Sequence, residues 1–141
     1  MSIIENLSEL SIQYFSLVRQ LSSKFELTLS QTLIILSIPF DGVTISDLSE
    51  KLGIDISTMT RNIQRIEKKN LISRLPNPDD KRSIKLLLSK RGATLTNSIN
   101  LEISVSLESI FNKYDLKTSN QLKNYLENLS WDIYLHRQNL K

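Results

Sequence analysis

The sequence predicts a mainly α (α+β) fold: a winged helix-turn-helix carried between long helices at both ends. Three observations predict it. Gly53 separates two short segments with apolar residues at helical spacing. Two β-type runs, Ile72–Leu75 and Ile84–Leu88, flank a loop rich in Pro, Asn and Asp. Stripes of apolar residues at three- and four-residue steps extend on either side. One structural unit is expected. Residues 28–92 form the winged helix-turn-helix, with the helix-turn-helix at 44–71 and the wing at 72–88. Residues 93–111 form a long connecting helix, and 1–27 and 112–141 form terminal helices.

The first helix follows from Ile3, Leu7, Leu10, Tyr14, Leu17, Leu21 and Phe25, which describe one stripe. A second opens at the capping box Thr28-Leu29-Ser30-Gln31 and runs through Leu33, Ile34, Leu36 and Ile38 until Pro39 limits it. It is apolar on most sides, so it belongs at the centre of the domain. Thr44-Ile45-Ser46-Asp47 reads as another capping box. Its helix turns Ile45, Leu48 and Leu52 to the core and stops at Gly53, which supplies the positive φ of a sharp C-cap. Asp55 is the N-cap of the next helix, with Met59, Ile63 and Ile66 on its apolar face. Beyond the wing, Leu95, Ile99, Ile103, Leu107, Ile110 and Phe111 mark a long helix. Thr118-Ser119-Asn120-Gln121 opens a last one containing Leu122, Tyr125, Leu126, Leu129 and Ile133.

Subtracting the buried positions from the fourth helix leaves Ser57, Thr58, Thr60, Arg61, Gln64, Arg65 and Lys68. Short hydroxyls come first and long cations later. That order suits a helix whose leading end meets base edges while longer side chains reach phosphates. Arg61 is the expected guanine reader. The wing tip carries Lys81 and Arg82, cations suited to a narrow minor groove, and Arg74 on its first strand joins the same contact set. Asp80, two residues before Arg82, is expected to hold that arginine extended. The competing roles are a solvated amphipathic face and an incidental surface ion pair worth roughly 0 to 1 kcal/mol. Cap, turn and hairpin signals agree with one another, which favours the reading as duplex chemistry.

Charge placement supports it. The chain of 141 residues has a formal net charge of only +3. Residues 44–92 hold eleven Lys or Arg against six Asp or Glu, a local excess of five, whereas the remainder holds seven against nine. Cations gathered on the candidate reader are the footprint of phosphate neutralisation, and they predict strongly salt-dependent binding.

The runs Ile54–Arg61, Ile66–Arg74, Asp80-Lys81-Arg82-Ser83 and Leu88–Gly92 together resemble the MarR family of bacterial regulators, over nearly the whole chain. The Asp-x-Arg wing motif carries the most weight. The resemblance implies a homodimeric repressor or activator, with repression the expected sense. Its recognition helices would enter successive major grooves of a pseudo-palindromic double-stranded DNA operator, with Arg82 in the minor groove. It implies that 1–27 and 112–141 are dimerisation helices. It also implies a small aromatic or phenolic effector, for which Tyr14, Arg19 and Phe40 have suitable side chains, against simpler roles in packing and solvation. Three positions depart from the family pattern: Ile56 replaces a frequent Pro, Asn70 a frequent Gly and Ser49 a usual Ala. None breaks the fold, since Pro at a first helical position is dispensable and Asn tolerates left-handed backbone.

Composition bounds the rest. With no Cys there are no disulfides, thiolate metal sites or thiol sensing. The single His136 has no ligand pair at metal spacing, and Gly42, Gly53 and Gly92 form no phosphate-cradling loop, so no catalytic residues, metal or cofactor are expected. No apolar run approaches the roughly 20 residues of a membrane span, and no signal peptide opens the chain, which predicts a cytoplasmic protein with no membrane partner. The rival function is a winged-helix interaction module that meets an acidic partner protein; a helix face led by hydroxyls and an arginine-tipped wing fit a groove better than a flat surface.

Overall fold

The computed structural model describes all residues from Met1 to Lys141. In chain order the elements are α1 (Ile3–Ser23), α2 (Leu29–Leu36), β1 (Val43–Thr44), α3 (Ile45–Leu52), α4 (Ile56–Lys68), β2 (Ile72–Asn77), β3 (Asp80–Leu88), α5 (Lys90–Phe111) and α6 (Leu116–Asn139). The three strands form an antiparallel sheet in the order β1-β3-β2.

Local chemistry sets the boundaries. At α2 the reciprocal capping box is complete: Thr28 Oγ1 accepts from Gln31 N at 3.1 Å and Gln31 Oε1 accepts from Thr28 N at 3.2 Å. At α3 only half of the expected box forms. Thr44 Oγ1 accepts from Asp47 N at 3.1 Å, and no return bond from Asp47 accompanies it. Gly53 ends α3 at φ 65°, with Ile54 N donating to Ser49 O at 3.0 Å, the closure that a left-handed cap permits. Asn70 takes the same backbone region after α4, at φ 60°.

Four expectations are corrected. The strands of the wing extend to Asn77 and Asp80, so only Pro78 and Asp79 lie between them instead of a loop over 76–83. A third strand, β1, joins the two that the sequence predicts; its two residues pair Val43 with Leu86 and Thr44 with Lys85. The long connecting helix begins at Lys90, not 93, because Ser89 Oγ accepts from Gly92 N at 2.9 Å and caps it. The last helix opens at Asp115, whose carboxylate accepts from Thr118 N at 2.7 Å, ahead of the predicted Thr118.

The chain parts into two compact units, Met1–Ile103 and Ser104–Lys141, where the sequence led us to expect one. The first has a conventional core. Ile34, Ile35, Leu48, Met59, Ile63, Ile66, Leu86 and Ile99 are all fully buried, so α2, α3, α4, β3 and α5 share one apolar centre. The second contains α6, on which no residue is buried. Its apolar side chains are at best partly covered within one chain, Leu126 and Leu129 remaining 40% and 39% exposed.

A candidate nucleic-acid interface

The reader is α4, and its N-terminus is built around one carboxylate. Asp55 Oδ1 accepts from Ser57 Oγ at 2.6 Å and from Thr58 N at 2.9 Å, while Oδ2 accepts from Thr58 Oγ1 at 2.8 Å. These bonds, the Ser57 hydroxyl foremost and then the Thr58 amide and hydroxyl, hold the Asp55 carboxyl well below the usual carboxylate range. The cap also commits the hydrogens of both hydroxyls. Ser57 and Thr58 hydroxyls can therefore only accept further bonds, and Thr60 Oγ1 likewise spends its hydrogen on Ile56 O at 2.8 Å.

Donors on the face come instead from farther along. Arg61 is exposed and its Nη2 donates to Thr58 Oγ1 at 3.3 Å, so a chain of bonds runs from Asp55 through Thr58 to the guanidinium. This favours one orientation of Arg61 before any ligand arrives. Gln64, Arg65 and Lys68 are exposed on the same side, opposite Met59, Ile63 and Ile66, which are 0% exposed.

The wing is a tight hairpin with polar bracing. Asp80 Oδ1 accepts from the Arg82 backbone N at 3.0 Å, and lies 4.0 Å from Arg82 Nε. Asp80 thus fixes the backbone of Arg82 more firmly than its guanidinium, which is 97% exposed. Lys81 is exposed beside it. Two residues outside the predicted set stiffen the tip: Asn77 Nδ2 donates to Ser83 Oγ at 2.8 Å, and Asn77 Oδ1 accepts from Asp79 N at 3.1 Å. The Asn-Pro-Asp sequence carries that signal, since Asn before such a turn readily bonds the backbone two residues on.

Arg74 departs most from its expected place among the contact residues. Its Nε and Nη2 converge on Glu67 Oε1 at 2.8 and 2.6 Å, with both side chains less than a third exposed. The guanidinium ties β2 to α4 and so sets the angle between wing and reader. Lys69 is similarly committed, donating from Nζ to the Glu26 carbonyl. Tyr14, Arg19 and Phe40 do not build an enclosed site within one chain: all three are exposed, Phe40 completely.

A helix with a cationic outer face, preceded by the short helix α3 and followed by a braced hairpin with an arginine at its tip, defines a winged helix-turn-helix protein. The profile of the MarR family matches residues 27–84, which begin just before α2 and end within β3. Over that segment, which is about two fifths of the chain, the sequence is similar to the MarR family. Among related proteins, the HTH-type transcriptional regulator SarZ of Staphylococcus epidermidis is 28% identical over 107 residues, 75% of this chain and 69% of that protein. The multiple antibiotic resistance protein MarR of Salmonella typhimurium is 35% identical over 74 residues, 52% of this chain and 51% of that protein. Among solved structures, the transcriptional regulator SlyA matches with a TM-score of 0.85 at 18% identity, covering 100% of both chains. A mutant MarR from E. coli complexed with operator DNA matches with a TM-score of 0.73 at 21% identity, covering 89% of this chain and 91% of that one.

Proposed function

We propose that this protein is a sequence-specific, double-stranded DNA-binding transcriptional regulator that acts as a homodimer on a pseudo-palindromic operator. The observation that carries the reading is the two-sidedness of α4, with its apolar face fully buried and Arg61, Gln64, Arg65 and Lys68 exposed in the same unit as Arg82. Grooves of B-DNA accept such a helix, and phosphates reward its cations. The related MarR solved with operator DNA supports the assignment by fold.

Dimerisation is proposed from unpartnered apolar surface. Ile3, Ile4, Leu10 and Ile12 on α1 are more than half exposed, as are Tyr125 and Trp131 on α6. Surface of this kind on long helices marks a protein interface. The same reading takes the protein to be a repressor that acts in the cytoplasm and catalyses no reaction, by analogy with the MarR-family regulators it resembles; no helix is long and apolar enough to cross a membrane. A small aromatic or phenolic effector belongs to the same reading, with Tyr14, Arg19 and Phe40 enclosed only once a second subunit is present.

Mobility shift of duplex DNA across salt tests the central claim. Binding should weaken by about a thousandfold or more between roughly 50 and 200 mM salt, as expected for six or more phosphate contacts. No affinity for duplex DNA, even in low salt, overturns it. Unchanged affinity in millimolar salicylate would remove the effector part alone.

A further inference from the structure

Ile56 occupies the first position of α4, directly after the Asp55 cap, yet it has no part in the core. Its neighbours Ile54 and Met59 both pack into that core, while Ile56 remains 59% exposed. A β-branched apolar residue gives no advantage at an exposed helical position, because it loses rotamer freedom and leaves hydrocarbon in water. Isolated apolar residues on a surface are common; Ile56 is set apart by its surroundings. It lines an open groove together with Ile45, Thr60 and Ile84, and with Arg82 and Ser83 on the wing side. Ile84 is itself 41% exposed. Because the Thr60 hydroxyl is turned inward to the Ile56 carbonyl, this leading turn of the reader is short of free donors. Its hydroxyl-bearing neighbours Ser57 and Thr58 are committed to Asp55 in the same way. What the turn presents at Ile56 is hydrocarbon.

The major-groove edges of the four bases carry donors and acceptors in every case, and a single apolar group, the C5-methyl of thymine. We propose that Ile56 is a specificity-determining residue that reads a thymine methyl at one position of each half-site, beside the base pair approached by Arg61. The inference rests on the reading of the protein as a DNA-binding regulator. It divides the labour on α4: the apolar leading residue selects thymine by its methyl, and the cations that follow supply hydrogen bonds and phosphate contacts.

The test uses the full chain and a duplex enriched by it from a random-sequence pool. Each thymine of the enriched site is then replaced singly by deoxyuridine, which removes only the methyl group. Wild-type protein should lose about three- to fivefold in affinity at one thymine per half-site, the worth of one buried methyl. Ile56→Ala should bind thymine and uracil at that position equally, and Ile56→Val should keep the preference. Thermal melting of the variants should match wild type, since the side chain lies outside the core. Enrichment of a specific site with no uracil-sensitive thymine, or an undiminished thymine preference in Ile56→Ala, would overturn the inference while leaving DNA binding intact. Failure to enrich any sequence would overturn the regulator reading itself, and the assignment of Ile56 with it.

Discussion

At the scale of single residues, Gly92 illustrates how a close approach outweighs propensity. A Cβ built there would lie 1.9 Å from the Leu71 carbonyl oxygen, a backbone atom that cannot swing away. Alanine would improve helix propensity by at most about 1 kcal/mol, whereas forcing atoms into a filled site costs about 1 to 3 kcal/mol or more. Gly92→Ala should therefore lower the melting temperature, by about 5 °C or more; an unchanged or raised melting temperature would show that the Leu71 backbone can move away from α5 freely. Asp55 makes a prediction in pH. Its carboxyl is held below the ordinary range by Ser57 and Thr58, so the ionised cap contributes stability that is fully present above the unfolded carboxyl value near 3.9. That contribution is lost as pH falls toward the depressed native value. Asp55→Asn can still accept the Thr58 amide bond. Melting curves from pH 7 to pH 3 should show the variant losing less stability than wild type, and parallel curves would remove the role given to the charge. Arg61→Ala should weaken specific binding by about 1 to 3 kcal/mol and relax preference at one base pair. Uniform weakening on all sequences would instead make Arg61 a phosphate contact.

At the scale of elements, some boundaries were legible in the sequence and others arose from pairing at a distance. The box Thr28 to Gln31, the Asp55 cap and the Gly53 stop each depend on residues within a turn of one another, so local chemistry displayed them. The strand Val43–Thr44 was illegible, since two residues carry no alternation and exist as a strand only because β3 offers an edge. The caps at Ser89 and Asp115 went unread because the apolar periodicity of α5 and α6 begins later than their backbone does. Of the candidate site, the exposed set on α4 and the wing tip could be found by subtraction, as their side chains point away from a recognisable core. Arg74 could not be placed that way. Its partner Glu67 sits seven positions earlier on another element, and only the turn at Asn70 brings the two together. Arg74→Ala should consequently cost about 1 kcal/mol of stability, the upper end for a partly exposed ion pair. A matching loss from Glu67→Gln, measured by denaturant unfolding, would identify the pair as a brace between reader and wing. If Arg74→Ala is as stable as wild type but loses DNA affinity while Glu67→Gln does not, the guanidinium contacts DNA directly.

At the scale of the whole molecule, apolar surface and charge point to the same assembly. Residues 104–141 bury no side chain of α6 within one chain, although Tyr125, Trp131 and Leu116 are 71%, 58% and 77% exposed. A helix of 24 residues with that much unburied hydrocarbon gains its stability from packing against another surface, because isolated helices are marginal in water. A two-fold copy of the chain supplies such a surface, and it would present two α4 helices to half-sites about one helical turn apart. Each copy would bring its own cations, so the slope of log affinity against log salt for the dimer should be about twice that of one reader. Light scattering at micromolar concentration should return twice the mass of the chain. Replacing Trp131 and Tyr125 together by Asp should yield a monomer whose unit 1–103 still melts cooperatively, because the core around Ile34 and Met59 lies wholly within that unit. Its salt slope should fall by about half, and its preference for paired half-sites over a single one should vanish. A wild-type monomer that nevertheless distinguishes paired from single half-sites would separate operator recognition from dimerisation and refute the two-fold arrangement.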